Sequence, residues 1–339
     1  MSAWAQPRSH DRAHAPLPGP GQWTIPRPHL RQACTRIAAR MLSERGPRAL
    51  GGIHAATVEA LGSLEREGAF GAAVEARVAR FVIDELGPEP SGRTGLRGVA
   101  PPRDDPGPPT PASSARMVRD LLYVCVHPTL PAERQLCMLL RFGFWLPNEA
   151  AAAVLQVHPS TVGIHLRQSC RRLGAVARRG GRPWAAGTDP HALSVLNHLD
   201  RLRRRGLELR TSAPRIAEAL VLDAPVHASL LLEAESGPAK AEAHAFLAEL
   251  YLGAEVKRRR EAAGDPGRSL RAAQDWAGGD ALPKGLRHLR VAQELGAASR
   301  FVWLARIHAG YALAAHPTET DWQAMVGLYE GLLRVSVIA

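Results

Sequence analysis

A chain of 339 residues, 45% of them hydrophobic, has room for about two or three small domains and a sizeable core. Its 43 Lys and Arg against 32 Asp and Glu leave a net charge of +11, which favours an anionic partner without naming one. Four widely spaced cysteines (Cys34, Cys125, Cys137, Cys170) with no CxxC pair speak against a disulfide framework or zinc cluster, and no apolar run approaches the roughly 20 residues of a membrane span.

Residues 1–28 are rich in Pro, Gly, His and Arg and read as a disordered arm rather than a signal peptide. Helical periodicity begins after it and defines a module over 29–86. Ile37, Met41 and Leu42 belong to its first helix, Ile53, Val58, Leu61 and Leu64 to its second, and Val74, Val78, Phe81, Val82 and Leu86 to its third. Residues 87–114 contain the runs Gly-Pro-Glu-Pro-Ser-Gly and Pro-Pro-Arg-Asp-Asp-Pro-Gly-Pro-Pro. These hold neither a helix nor a strand ladder, so the segment is a Pro/Gly-rich linker.

The stretch 115–180 carries the densest pattern. Pro131 to Phe144 is amphipathic, with Leu136, Leu139, Leu140 and Phe144 apolar and Glu133, Arg134 and Arg141 polar. Pro147 interrupts it, and Asn148 is placed to N-cap a short Ala-rich helix from Glu149 to Gln156. Pro159 then suits the first position of a third helix. On that helix Val162, Leu166 and Leu173 share one face, with Cys170 near them, while Ser160, Gly163, Ile164, Arg167, Gln168 and Arg171 point elsewhere. No acid occurs between Glu149 and Asp189, so Arg167, Arg171, Arg172, Arg178, Arg179 and Arg182 have no local counter-charge. Helix, Ala-rich helix, turn and basic helix make a helix-turn-helix, whose last helix fits a major groove. The DNA-contacting candidates are Ser160, Thr161, Gly163, Ile164, Arg167, Gln168, Arg171 and Arg172.

From 190 to 339 the chain is again helical, with apolar faces over residues 193–207, 217–232, 241–256, 286–295 and 301–315, punctuated by Pro214, Pro238, Pro266, Pro283 and Pro317. The run Arg201, Arg203, Arg204 and Arg205 reads as a solvated helix end. Trp276, Trp303, Tyr311, Trp322 and Tyr329 read as helix–helix contacts. Strand alternation is absent over any useful length, and the fold class is all-α.

Two sets of motifs carry a resemblance. The segment Leu121-Leu122-Tyr123-Val124-Cys125-Val126-His127-Pro128, with Ser160-Thr161-Val162, Leu166 and Arg171-Arg172-Leu173, resembles region 4 of an extracytoplasmic-function RNA polymerase sigma factor. Gln274-Asp275-Trp276, Asp321-Trp322 and the run from Val326 to Leu333 are similar to the helical, tetratricopeptide-like extension of one subgroup, here stopping after the first helix of that array. The resemblance implies that region 4 reads promoter DNA, that 29–86 corresponds to region 2, which binds core RNA polymerase, and that the extension contacts the sigma domains within the chain. His54, Thr57, Val58 and Leu61 fall on the implied polymerase-binding helix, although Gly51, Gly52, Ile53 and His54 stand where that family is acidic. His165, Gln168 and Cys170 stand where it is commonly basic.

The chain has no Gly-rich phosphate loop, nucleophile elbow or HExxH, and its histidines lack partners at ligand or triad spacing, so neither catalysis, a cofactor nor a metal is expected. Two readings follow. One is a cytoplasmic sigma factor-like initiation protein binding double-stranded promoter DNA and core RNA polymerase, with no membrane association. The other is a degenerate relative acting as a non-initiating helical interaction or regulatory protein.

Overall fold

A computed structural model of the chain describes Thr35 and residues 111–179, 189–262, 280–314 and 317–338. The expected arm, most of the region 2-like module including His54, Thr57, Val58 and Leu61, the linker up to residue 110, Arg182 and Trp276 lie outside the described residues.

Ten α-helices and no strand occur among the described residues, as the periodicity predicts. They are α1 (Pro111–Cys125), α2 (Ala132–Met138), α3 (Asn148–Leu155), α4 (Pro159–Arg178), α5 (Asp189–Glu208), α6 (Pro214–Ala234), α7 (Gly237–Ala262), α8 (Ala281–Glu294), α9 (Arg300–Leu313) and α10 (Trp322–Ile338). Helix α1 already begins at Pro111, so the last four residues of the expected linker are helical. The prolines taken as separators sit instead in the opening turns of helices: Pro214 starts α6, Pro238 follows the first residue of α7, and Pro283 lies in the first turn of α8. A first-turn N–H has no intrahelical partner, so a proline there sacrifices nothing.

Helix α7 is the hub. Ala241, Ala243, Ala245, Phe246, Leu247, Ala248, Leu250 and Leu252 are all buried, and α5, α6, α8 and α9 pack around it. Its many alanines and glycines permit close crossings. A methyl group at Gly285 of α8 would stand 2.6 Å from Leu252 Cγ, so only glycine lets α8 lie this near α7. Helix α6 touches α1, α5 and α7, and one buried apolar cluster runs from Val118 to Ala309. The segment 111–178 and the C-terminal helices therefore share a core.

Of the run Arg201 to Arg205, Arg201 and Arg204 are exposed as a solvated helix end requires, while Arg203 and Arg205 are half-buried. Asp200, 0% exposed, accepts from Arg203 (3.1 Å), Arg204 (3.1 Å) and Arg300 of α9 (2.7 Å). Arg203 also reaches Glu249 of α7 at 3.5 Å. Burial opposes the Arg203 charge, but Glu249 and Asp200 outweigh it and its pKa is raised. Asp200 stands three and four residues before Arg203 and Arg204 on α5 itself, whereas Glu249 comes from α7, a partner that linear charge counting does not register.

Candidate nucleic-acid interface

The site is built from the turn upward. Helix α2 does not continue as an α-helix to Phe144: Leu139–Gly143 is a π turn, in which Phe144 N–H bonds Leu139 O at 3.0 Å. Pro147 disfavours helical backbone at Leu146, and the chain reverses through Trp145 at φ 53° with its indole 1% exposed. Such a φ is an outlier for a bulky residue and persists only where surroundings fix it. Here Trp145 Nε1 donates to Thr35 Oγ1 (3.0 Å), while Thr35 Oγ1 and His227 Nε2 of α6 both donate to Gly143 O (3.2 and 3.0 Å). Arg141 also closes the turn through Leu146 O at 2.9 Å, and burial brings its pKa down to about 10.

Asn148 is not the N-cap of α3. Pro147 takes that place, its carbonyl accepting from Ala151 at 2.9 Å, and Asn148 is the first helical residue, its Oδ1 buried without a hydrogen bond. Ala150, Ala151, Ala152 and Val154 face inward at 4% exposure or less, the close packing that small residues predict. Helix α3 ends at Gln156, φ 57°, after which Val157 N–H bonds Ala152 O (3.0 Å) and the chain turns into α4. From the C-terminal helices Arg205 Nε donates to Val154 O at 3.2 Å, satisfying a carbonyl at that helix end.

Helix α4 spans 20 residues, about 30 Å at 1.5 Å per residue. Pro159 opens it as expected. His158 caps it, its Nδ1 accepting from Ser160 N–H at 3.3 Å and lying 2.8 Å from Ser160 Oγ. Val162 and Leu173 are 0% exposed and anchor the inner face, with Leu166 and Cys170 packed beside them. Burial pushes the Cys170 thiol up to about 11, away from thiolate chemistry. Ser169 is also buried, its hydroxyl donating to His165 O at 2.8 Å.

Ser160, Ile164, Arg167, Gln168, Arg171 and Arg172 are exposed. Ser160, Ile164, Arg167 and Arg171 follow at steps of four, three and four along one stripe, with Gln168 four residues after Ile164 beside them. Thr161 and Gly163 are half-buried on its flanks. Arg178, seven residues beyond Arg171, extends the stripe; the i+7 spacing was the signal for it once the helix is known to run that far. No ion pair engages Arg167, Arg171, Arg172, Arg178 or Arg179 among the described residues, which fits an acid-free stretch of sequence. His165 turns toward α2, with Nδ1 3.7 Å from Cys137 Sγ, so it does not stand in the stripe.

Behind the stripe, the Cys125-Val126-His127-Pro128 motif makes the corner between α1 and α2. Cys125 is fully buried and its thiol pKa is raised by burial. His127 Nδ1 accepts from Thr129 N–H (3.2 Å), and Gln135 Nε2 donates to the carbonyls of His127 and Leu130. Burial, then His191 and Arg172, lower the His127 pKa and keep it neutral at pH 7. On its far side α1 is held by α6: Tyr123 donates to Glu235 at 2.7 Å, and Arg119 lies 3.6 Å from the same carboxylate.

Chemically, this arrangement offers a cationic, partly amphipathic ridge rather than an enclosed reaction centre. Comparison with protein-family models, curated proteins and solved structures gives no match for the chain.

Proposed function

We propose that the chain is a sigma factor-like transcription initiation protein whose helix α4 lies in the major groove of promoter DNA and whose N-terminal module engages core RNA polymerase. The observation that carries the reading is the exposed, acid-free stripe on a helix rooted by Val162 and Leu173. Arg167, Arg171 and Arg172 neutralise phosphates or pair with guanine edges. Gln168 pairs with adenine, and Ile164 packs on a thymine methyl. Ser160, Thr161 and Gly163 lie at the groove entrance, where a short side chain allows close backbone approach. The polymerase half rests on the resemblance alone, through His54, Thr57, Val58 and Leu61.

The test is duplex binding by fluorescence anisotropy as a function of salt. Arg171→Ala with Arg172→Ala is expected to weaken binding and to reduce the log–log salt slope by about two, roughly 0.9 per lost phosphate contact. Affinity unchanged on every duplex would remove α4 from the interface. Co-elution with core RNA polymerase and run-off transcription then separate the two readings. Duplex binding without polymerase association makes the chain a non-initiating regulator that kept its helix-turn-helix.

A further inference from the structure

Helices α7 and α8 pack side by side and bring two histidines together, with His244 Nδ1 lying 2.8 Å from His288 Nδ1. Tyr251, seven residues beyond His244 on α7, stacks on the His288 ring at 5.7 Å with 9° between the planes. Both histidines are half-buried, and neither Nε2 has a partner among the described residues. Lys240 stands one turn before His244, and Arg287 stands next to His288. Their charges act on the two imidazoles, and neither enters an ion pair among the described residues. The neighbouring carboxylates are committed elsewhere. Glu242 accepts from the N–H groups of Ala298 and Ser299 at 3.0 and 3.1 Å, and Asp280 lies 3.9 Å from Lys284.

We propose that this groove between α7 and α8 binds a tetrahedral oxyanion, a phosphate or sulfate group, and takes one proton onto the histidine pair as it does so. The donor inventory supports it. In the neutral pair one Nδ1–H donates to the other Nδ1, so one ring keeps an Nε2–H and the other an Nε2 lone pair. A third proton goes to that lone pair. The product is an imidazolium whose Nδ1–H still bonds the neutral ring, and both rings then offer an Nε2–H. Together with the Lys240 ammonium and the Arg287 guanidinium, these donors match an anion with several oxygens.

Without an anion the third proton is resisted. Burial lowers the pKa of both histidines, helped by Lys240 at His244 and by His244 and Arg287 at His288, which falls to about 4. A doubly charged anion offsets the cationic repulsion, so anion and proton each favour binding of the other. A metal ion suits the groove less well. The pair supplies two nitrogens, no group of three metal-ligating side chains occurs among the described residues, and two fixed cations repel a third. None of these residues belongs to α4, so the site does not rest on the DNA-binding reading.

Sulfate is the probe, because it stays doubly charged where histidines titrate. The imidazole Cε1–H resonances of the full chain, assigned through His244→Gln and His288→Gln, report binding at an ionic strength held constant with chloride. Sulfate is expected to move both resonances and to raise the titration midpoint of the pair. Its affinity is expected to rise by up to about tenfold per pH unit of acidification, the limit for one coupled proton. Lys240 is half-buried and free of ion pairs, so Lys240→Gln keeps the unfolding curve and supplies a test that does not depend on altering the pair. That variant is expected to raise the midpoint measured without sulfate, since a repelling charge is gone, and to weaken sulfate binding roughly tenfold. Sulfate binding that is unchanged in both His288→Gln and Lys240→Gln is adventitious and overturns the proposal. Affinity that does not vary with pH also overturns it, by leaving the histidines outside the site. A duplex or inorganic phosphate titrated in place of sulfate identifies the carrier of the group: movement of the two resonances by the duplex assigns it to nucleic acid, and movement by inorganic phosphate alone assigns it to a small ligand. Either pattern upholds the site.

Discussion

A methyl group added at Gly163 would meet Arg167 Nη1 at 3.5 Å and Asn148 Nδ2 at 3.9 Å, ordinary contact distances. Alanine in a helix interior gains about 0.5–1 kcal/mol over glycine. Gly163→Ala is therefore expected to raise the melting temperature of the chain, measured by circular dichroism, and any accompanying loss of duplex affinity would report close backbone approach at that position. His288 makes the opposite kind of argument, through its proton. Its Nδ1 lies 2.8 Å from His244 Nδ1 and its ring stacks on Tyr251. Burial, then His244 and Arg287, bring its pKa from 6.5 to about 4. The unfolded chain takes up this proton first, so the contribution to stability is complete above about pH 6.5 and is lost as pH falls toward 4. Urea midpoints measured across that window are expected to fall with acidification, and His288→Gln to fall less steeply.

At the scale of elements, the same glycine-to-alanine change reverses sign between helices. At Gly285 the new methyl would stand 2.6 Å from Leu252 Cγ and 3.2 Å from its backbone nitrogen, so α8 must move away from α7. Overpacking of this kind costs about 1–3 kcal/mol and outweighs the helix-propensity gain of about 1 kcal/mol. Gly285→Ala is expected to lower the urea midpoint, the reverse of Gly163→Ala. The contrast shows where sequence reading stops: both glycines look alike in a helical pattern, and only the partner helix distinguishes them. The end of α2 teaches the same lesson. Leu136, Leu139, Leu140 and Phe144 are buried as their spacing requires. The π turn, however, depends on Trp145 entering the core and on Thr35 and His227 meeting at Gly143 O, contacts separated by 108 and 84 residues from that carbonyl.

For the whole molecule, Asp200 is the electrostatic centre of the C-terminal helices, fully buried and shared by Arg203, Arg204 and Arg300. Removing it leaves Arg203, whose side chain is 16% exposed, with only the longer 3.5 Å contact to Glu249. Loss of one member of a buried ion pair costs about 3–5 kcal/mol, because the remaining charge stays desolvated. Asp200→Ala is expected to cost about 3 kcal/mol in urea unfolding, near the lower end of that range since Glu249 remains. Because one apolar cluster joins Val118 to Ala309, hydrogen exchange is expected to show α1 opening together with α6 in the variant.

Periodicity in the sequence was enough to determine the helical class, the inward faces of α2, α3 and α4, and the outward stripe of Ser160, Ile164, Arg167, Gln168 and Arg171. A 3.6-residue repeat fixes which side chains share a face before any partner exists. The absence of acids between Glu149 and Asp189 likewise left that stripe without local counter-charges. What only the tertiary structure decided were features that need two distant segments at once. The pairing of Arg203 with Glu249, the turning of His165 toward Cys137 and the capping of Val154 by Arg205 are of this kind. Trp322 and Tyr329 keep exposed surface, yet each meets Tyr311 of α9, the helix contact that the pattern expects, because a side chain on the flank of a helix can touch its neighbour and solvent at once.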